Sequence, residues 1–115
     1  MRLQEAQAVF AALADQTRFR ILNLLSEGEL CVCDLMKVLG EPQSKVSRHL
    51  GYLKRTGLVA VRKEGLWMYY RLARPQTKSF KAILGALNCC RADFAELRKD
   101  LEMFRKNKNR LVACC

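Results

Sequence analysis

A mainly α-helical fold carrying one small β-hairpin is what this 115-residue sequence predicts, and three observations predict it. Apolar residues recur at helical spacing through most of the chain, in stretches punctuated by Asp, Gly and Pro. Between Leu58 and Leu72 that period gives way to β-branched and aromatic runs around a charged, Gly-containing turn. A seven-residue rhythm then sets in and continues into a basic, Cys-terminated end. Half of the residues are hydrophobic, which in a chain of this length allows one compact core. No linker splits the chain and no repeat is visible, so residues 1–105 are expected to form one domain and residues 106–115 a flexible tail.

The elements follow in order. Glu5 to Ala14 reads as a helix through Val9, Phe10 and Leu13. Asp15 can cap a second helix with Phe19, Leu22 and Leu25 on its inner side, and Gly28 fits just past its end. Val32, Leu35, Met36 and Leu39 fall at i, i+3, i+4 and i+7, which predicts a third helix over 32–39. Gly40-Glu41-Pro42 breaks it, and Pro42 suits the opening of a fourth helix over 43–56, with Val46, Leu50 and Leu53 inward. Leu58–Val61 and Trp67–Tyr70 read as strands joined by a tip at Arg62-Lys63-Glu64-Gly65. The last helix is expected from Thr77 to about Arg105. Phe80, Leu87, Phe94 and Leu101, with Ile83, Cys90, Leu97 and Phe104 three residues after each, hold a and d positions for about four heptads. So small a domain has little core to cover such a stripe, so a homodimer through terminal helices is favoured over packing on its own domain.

The third helix, a short break at Gly40 and the fourth helix make a helix-turn-helix pattern. Outward positions on the fourth helix include Gln43, Ser44, Ser47, Arg48 and Gly51. Ser and Gln can bond base edges, and Arg48 can fork onto guanine or grip phosphate. Lys45, Lys54 and Arg55 suit phosphate contacts, which position without reading sequence. Arg62 and Lys63 on the hairpin could touch the adjacent backbone or minor groove as a wing. His49, the chain's single histidine, is read as a packing or phosphate-contacting residue of the same DNA-binding set. The formal charge of +10 calls for a polyanionic partner, and the helix-turn-helix pattern selects double-stranded DNA over a membrane surface. No apolar run approaches the roughly 20 residues of a membrane span, and the N-terminus lacks a secretory layout. A cytoplasmic protein is the expectation.

Six cysteines in such a chain need a reason, and metal or redox chemistry is the leading one. Cys31 falls at the cap of the third helix and Cys33 in its first turn, where the helix N-terminus favours thiolate, the form that binds soft metals. Cys89-Cys90 sit at and beside the heptad seam, where a ligand role and a role as small buried hydrophobes weigh about evenly. Cys114-Cys115 end the tail. A lone histidine without an orienting acid or nucleophile, and the lack of a Gly-rich phosphate loop, paired carboxylates or a CxxC pair, argue against an enzyme.

Leu13-Ala14-Asp15-Gln16-Thr17-Arg18-Phe19-Arg20-Ile21-Leu22, Glu29-Leu30-Cys31-Val32-Cys33-Asp34-Leu35 and Ser44-Lys45-Val46-Ser47-Arg48-His49-Leu50 resemble the ArsR/SmtB family of metal-responsive repressors. The resemblance implies a homodimeric winged helix-turn-helix protein that occupies a palindromic operator, needs no cofactor to bind it, and is released by metal. The Cys-Val-Cys-Asp-Leu element is similar to that of the family's As(III) and Sb(III) sensors, and also to its Cd(II) and Pb(II) sensors. In the arsenic pattern a third cysteine follows where this chain has Met36, a poor As(III) ligand better suited to the core. The cadmium and lead sensors complete their site from an N-terminal arm, and no cysteine precedes Cys31 here. Some relatives bind arsenic on the final helix, which makes Cys89 and Cys90 a second candidate site. Cys114 and Cys115 could reach back to Cys31 and Cys33. Residues two apart on a helix point about 200° from each other, so one ion on both Cys31 and Cys33 should distort the start of the third helix and shift the reading helices. A thiol-oxidation switch of the same fold, a thiol metal-buffering protein, and an interaction module using Trp67, Tyr69 and Tyr70 are the competing readings.

Overall fold

The computed structural model describes residues 2–75 and 77–106. The elements are α1 (Leu3–Leu13), α2 (Gln16–Leu25), β1 (Leu30–Cys31), α3 (Val32–Leu39), α4 (Gln43–Arg55), β2 (Val59–Glu64), β3 (Trp67–Leu72), α5 (Lys78–Asp93) and α6 (Ala95–Lys106). Asp15 caps α2 by accepting from the Arg18 N–H at 3.0 Å. Gly40, with φ +67, ends α3 in the left-handed conformation that glycine adopts without strain. Thr77 caps α5 through the Phe80 N–H.

Ile21, Leu22, Leu24, Leu35, Leu50, Leu53 and Leu58 are fully buried where α2, α3, α4 and the start of β2 meet. This core fixes α4 against α3, and the α3–Gly40–α4 unit is the helix-turn-helix that the sequence predicts. The hairpin follows directly, with Val59↔Leu72 through Glu64↔Trp67 in antiparallel register.

Three expectations change. The strands run further than the aromatic and β-branched residues alone indicate, so Arg62 and Lys63 lie within β2 and the tip moves to Gly65-Leu66. A short third strand, β1, pairs with β3 through Leu30↔Tyr70 and Cys31↔Tyr69, giving the sheet order β1-β3-β2. The final helix is two helices. Phe94 takes an extended conformation (φ −119, ψ 114), and Arg98 donates to the carbonyls of Arg91 and Ala92 at 2.7 and 2.8 Å. That interaction satisfies carbonyls which the broken ladder would otherwise strand.

The break lets α6 fold back onto α2 and touch α3. Phe80, Leu87, Leu97, Leu101 and Phe104, the heart of the heptad stripe, are buried within this domain. Polar contacts hold α6 in place: Arg20 reaches both carboxylate oxygens of buried Asp100 at 2.8 and 2.9 Å. Asn23 Nδ2 donates to the Leu97 carbonyl at 3.0 Å, and Arg105 pairs with Glu27. No helix among the described residues is long and apolar enough to cross a membrane.

Candidate metal centre and nucleic-acid interface

Cys31 and Cys33 straddle a change of backbone, and both are disulfide-bonded in this structure. Cys31 is the N-cap of α3, extended at φ −91 and ψ 167, and closes β1 on Tyr69. Cys33 lies one residue inside the helix, half-buried. Cys31 is only 1% exposed. Asp34, also buried, accepts from the Cys31 N–H through Oδ2 at 3.4 Å. Its other oxygen is enclosed without a hydrogen-bond partner, and burial raises the carboxyl's pKa against the opposing effects of the Cys31 N–H and Lys37. The opening turn of α3 is therefore held by strand pairing on one side and a desolvated carboxylate on the other.

A second set of contacts ties this turn to the hairpin. Glu29, two residues before Cys31, accepts from Arg62 of β2 at 2.8 and 2.9 Å. Arg62 also pairs with Glu64, and its guanidinium lies 4.6 Å above the Tyr69 ring. No local sequence signal gives Glu29, Asp34 and Tyr69 these contacts. A two-residue strand lies below the length at which alternation can be read, so the Glu29-Leu30-Cys31 signal is silent without β3.

The other cysteines lie elsewhere. Cys89 is exposed and Cys90 half-buried, both on α5. Cys114 and Cys115 lie outside the described residues. Among the described residues no three His, Cys, Asp or Glu side chains converge as a metal site. Met36 is partly buried and packs against the core.

On α4 the outward face carries Gln43, Ser44 and Arg48, all exposed, with Ser47 and Lys45 half-exposed. Lys45 pairs with Glu41 at 3.1 Å. Val46, His49, Leu50 and Leu53 form the buried face. His49 is 8% exposed, with Nδ1 at 3.9 Å from Asp15 Oδ2 and 3.5 Å from Arg18 Nη1. Arg18 completes the corner by donating to the Ala12 carbonyl at 2.8 Å and stacking 4.1 Å over Tyr52. His49 thus belongs to the joint between α1, α2 and α4. Its spacing from Val46 and Leu53 was the available signal. Arg62 is committed to two carboxylates, whereas Lys63 stands exposed.

A helix-turn-helix followed by a β-hairpin wing defines a winged helix-turn-helix protein, the class built to lay one helix in a DNA groove. Comparison with known proteins narrows the class. The model of the bacterial regulatory protein arsR family matches residues 15–61. The arsenical resistance operon repressor of Escherichia coli K12 is 54% identical over 66 residues, which span 56% of this chain and 56% of that protein. The arsenical resistance operon repressor of Bacillus subtilis 168 is 36% identical over 89 residues, covering 76% of this chain and 82% of its own length. Among solved structures, the homodimeric winged helix-turn-helix DNA-binding domain of Mb0332 from Mycobacterium bovis superposes with a TM-score of 0.67. It is 31% identical and covers 79% of this chain and 82% of that one. The chain belongs to the ArsR family. It spans about half the length of the E. coli relative.

Proposed function

We propose that this protein is a dimeric transcriptional repressor that holds palindromic operator DNA and lets go when As(III) or Sb(III) binds the Cys31 and Cys33 thiolates. The observation that carries this reading is the position of the two cysteines: one closes the β1–β3 ladder, the other lies inside the helix that supports α4. Both cysteines are disulfide-bonded in this structure, so the thiolates that would hold a soft ion form only on reduction, and the ion then takes one sulfur from an extended residue and one from a helical residue. Cys31 is almost sealed from solvent, so the ion also requires that turn to open.

Two routes carry the opening to DNA. Through the core, α3 packs on α4, so a displaced α3 tilts the reading helix. Through the sheet, release of Cys31 from Tyr69 loosens Glu29 from Arg62 and with it the wing. Two reading helices of a symmetric dimer must sit about 34 Å apart to meet successive half-sites, so modest displacements lose contacts on both. Gln43, Ser44, Ser47 and Arg48 are assigned to bases, and Lys45, Lys54, Arg55 and Lys63 to phosphates. The dimer is assigned to α1 and α5: Leu3 and Phe10 project from α1 into solvent, and the homodimeric M. bovis relative supports the state. A third thiolate would come from Cys114, Cys115 or the second protomer. Cd(II) and Pb(II) are soft enough to use the same pair.

The test is operator release in fully reducing buffer, followed by fluorescence anisotropy on palindromic duplex. Cys31→Ser/Cys33→Ser is expected to bind DNA as the parent does and to stay bound when arsenite is added. Release of that variant by arsenite would refute the assignment. Release of the parent only by oxidant would favour a thiol-oxidation switch.

A further inference from the structure

The β2–β3 hairpin closes through Gly65-Leu66, between the paired residues Glu64 and Trp67. Gly65 has φ +61 and Leu66 does not have a positive φ, the pattern of a tight turn with glycine first. Leu66 is 91% exposed at the apex, and Trp67 and Met68 are exposed behind it. Large apolar side chains left in water forgo the free energy of burial, so three together at the closed end of the hairpin call for a partner. The tip does not present a spare arginine, because Arg62 is bound to Glu29 and Glu64.

We propose that the wing tip is a minor-groove wedge: Leu66, backed by Trp67 and Met68, enters between base steps beside the site that α4 reads, with Lys63 on the neighbouring phosphate. This rests on the DNA-binding reading above. Continuity and charge favour DNA as the occupant. The hairpin starts four residues after α4 ends and packs against it. Beyond Arg62, which Glu29 and Glu64 neutralise, residues 59–72 carry Lys63 and Arg71 and no further carboxylate, so an apolar point sits on a cationic arm. A second protein would need about 800 Å² of surface per partner for a stable contact, far more than a turn apex offers. A wedge needs only one or two side chains, because the unstacking it causes is compensated by a bent duplex that meets more of the protein. Pyrimidine–purine steps unstack most readily, so the wedge would add sequence preference at positions that α4 does not touch.

The experiment uses the full chain and a duplex that the parent protein selects from a random pool, labelled at its ends for energy transfer and with 2-aminopurine at steps flanking the half-sites. The parent should bend the duplex and brighten one flanking 2-aminopurine. Leu66→Ser, at an exposed site that leaves the urea midpoint unchanged, should lose both signals. It should also bind about tenfold more weakly with an unaltered salt slope. Lys63→Ala should instead lower the slope by about one. Full bending and affinity in Leu66→Ser would overturn the wedge, as would a loss of self-association in that variant, which would assign the tip to a protein contact. If the parent selects no duplex at all, the DNA-binding reading fails and the wedge falls with it.

Discussion

On α4, Arg48 and His49 are neighbours in the chain with opposite environments: Arg48 faces solvent, while the His49 ring is enclosed beside Asp15 and Arg18. Burial lowers the imidazole pKa below its ordinary 6.5; Asp15 opposes the shift, and Arg18, Arg48 and Lys45 reinforce it. The unfolded chain therefore takes up this proton first as pH falls. The stability that neutral His49 contributes is complete above about 6.5 and declines as pH drops from there toward the lower folded value. Urea midpoints at pH 7.5 and 5.5 should show a smaller acid loss for His49→Gln than for the parent, and equal losses would contradict this placement. At this scale much of the site was legible: the apolar spacing of Val32, Leu35, Met36 and Leu39 was enough to put Cys31 at the cap and Cys33 in the first turn. Arg62 was not, because its partner Glu29 lies 33 residues away and no local pattern announces such a pair.

Helices α1 to α4 were legible because each carries a strong apolar period and a stop signal of its own. The last segment misled for a physical reason. Its heptad rhythm is real, but a rhythm states which residues want burial and not what covers them, and the extended Phe94 turns the second half onto α2. The Arg20–Asp100 pair is the main polar fastening of that docked helix. Asp100 is buried and Arg20 about a quarter exposed, so removing the carboxylate strands a partly desolvated guanidinium. Asp100→Ala is expected to cost about 2 kcal/mol in urea unfolding, with Asp100→Asn milder because one hydrogen bond survives. A change below a few tenths of a kcal/mol would mean that α6 is held by its apolar face alone. The two-residue strand β1 was beyond sequence reading, since only its register with Tyr69 and Tyr70 makes it a strand.

For the whole molecule, the charge of +10 and the exposed cations of α4 and the wing set the expected binding behaviour. Affinity for duplex should fall steeply with salt, with a log–log slope of about −0.9 for each phosphate engaged. A flat response between 50 and 200 mM salt would remove the basic footprint from the account. The fold class was readable from helix order and hairpin; the contacts that join Cys31 and Glu29 to the wing were not, because they depend on strand pairing across the fold. The central claim is that the inducer and the closed first turn of α3 exclude each other. Backbone amide hydrogen exchange across residues 29–35, on the DNA-bound dimer with and without arsenite, tests it most directly. Protection of this stretch and of its β3 partners Tyr69 and Tyr70 should collapse as DNA is released. Release with that protection intact would contradict it.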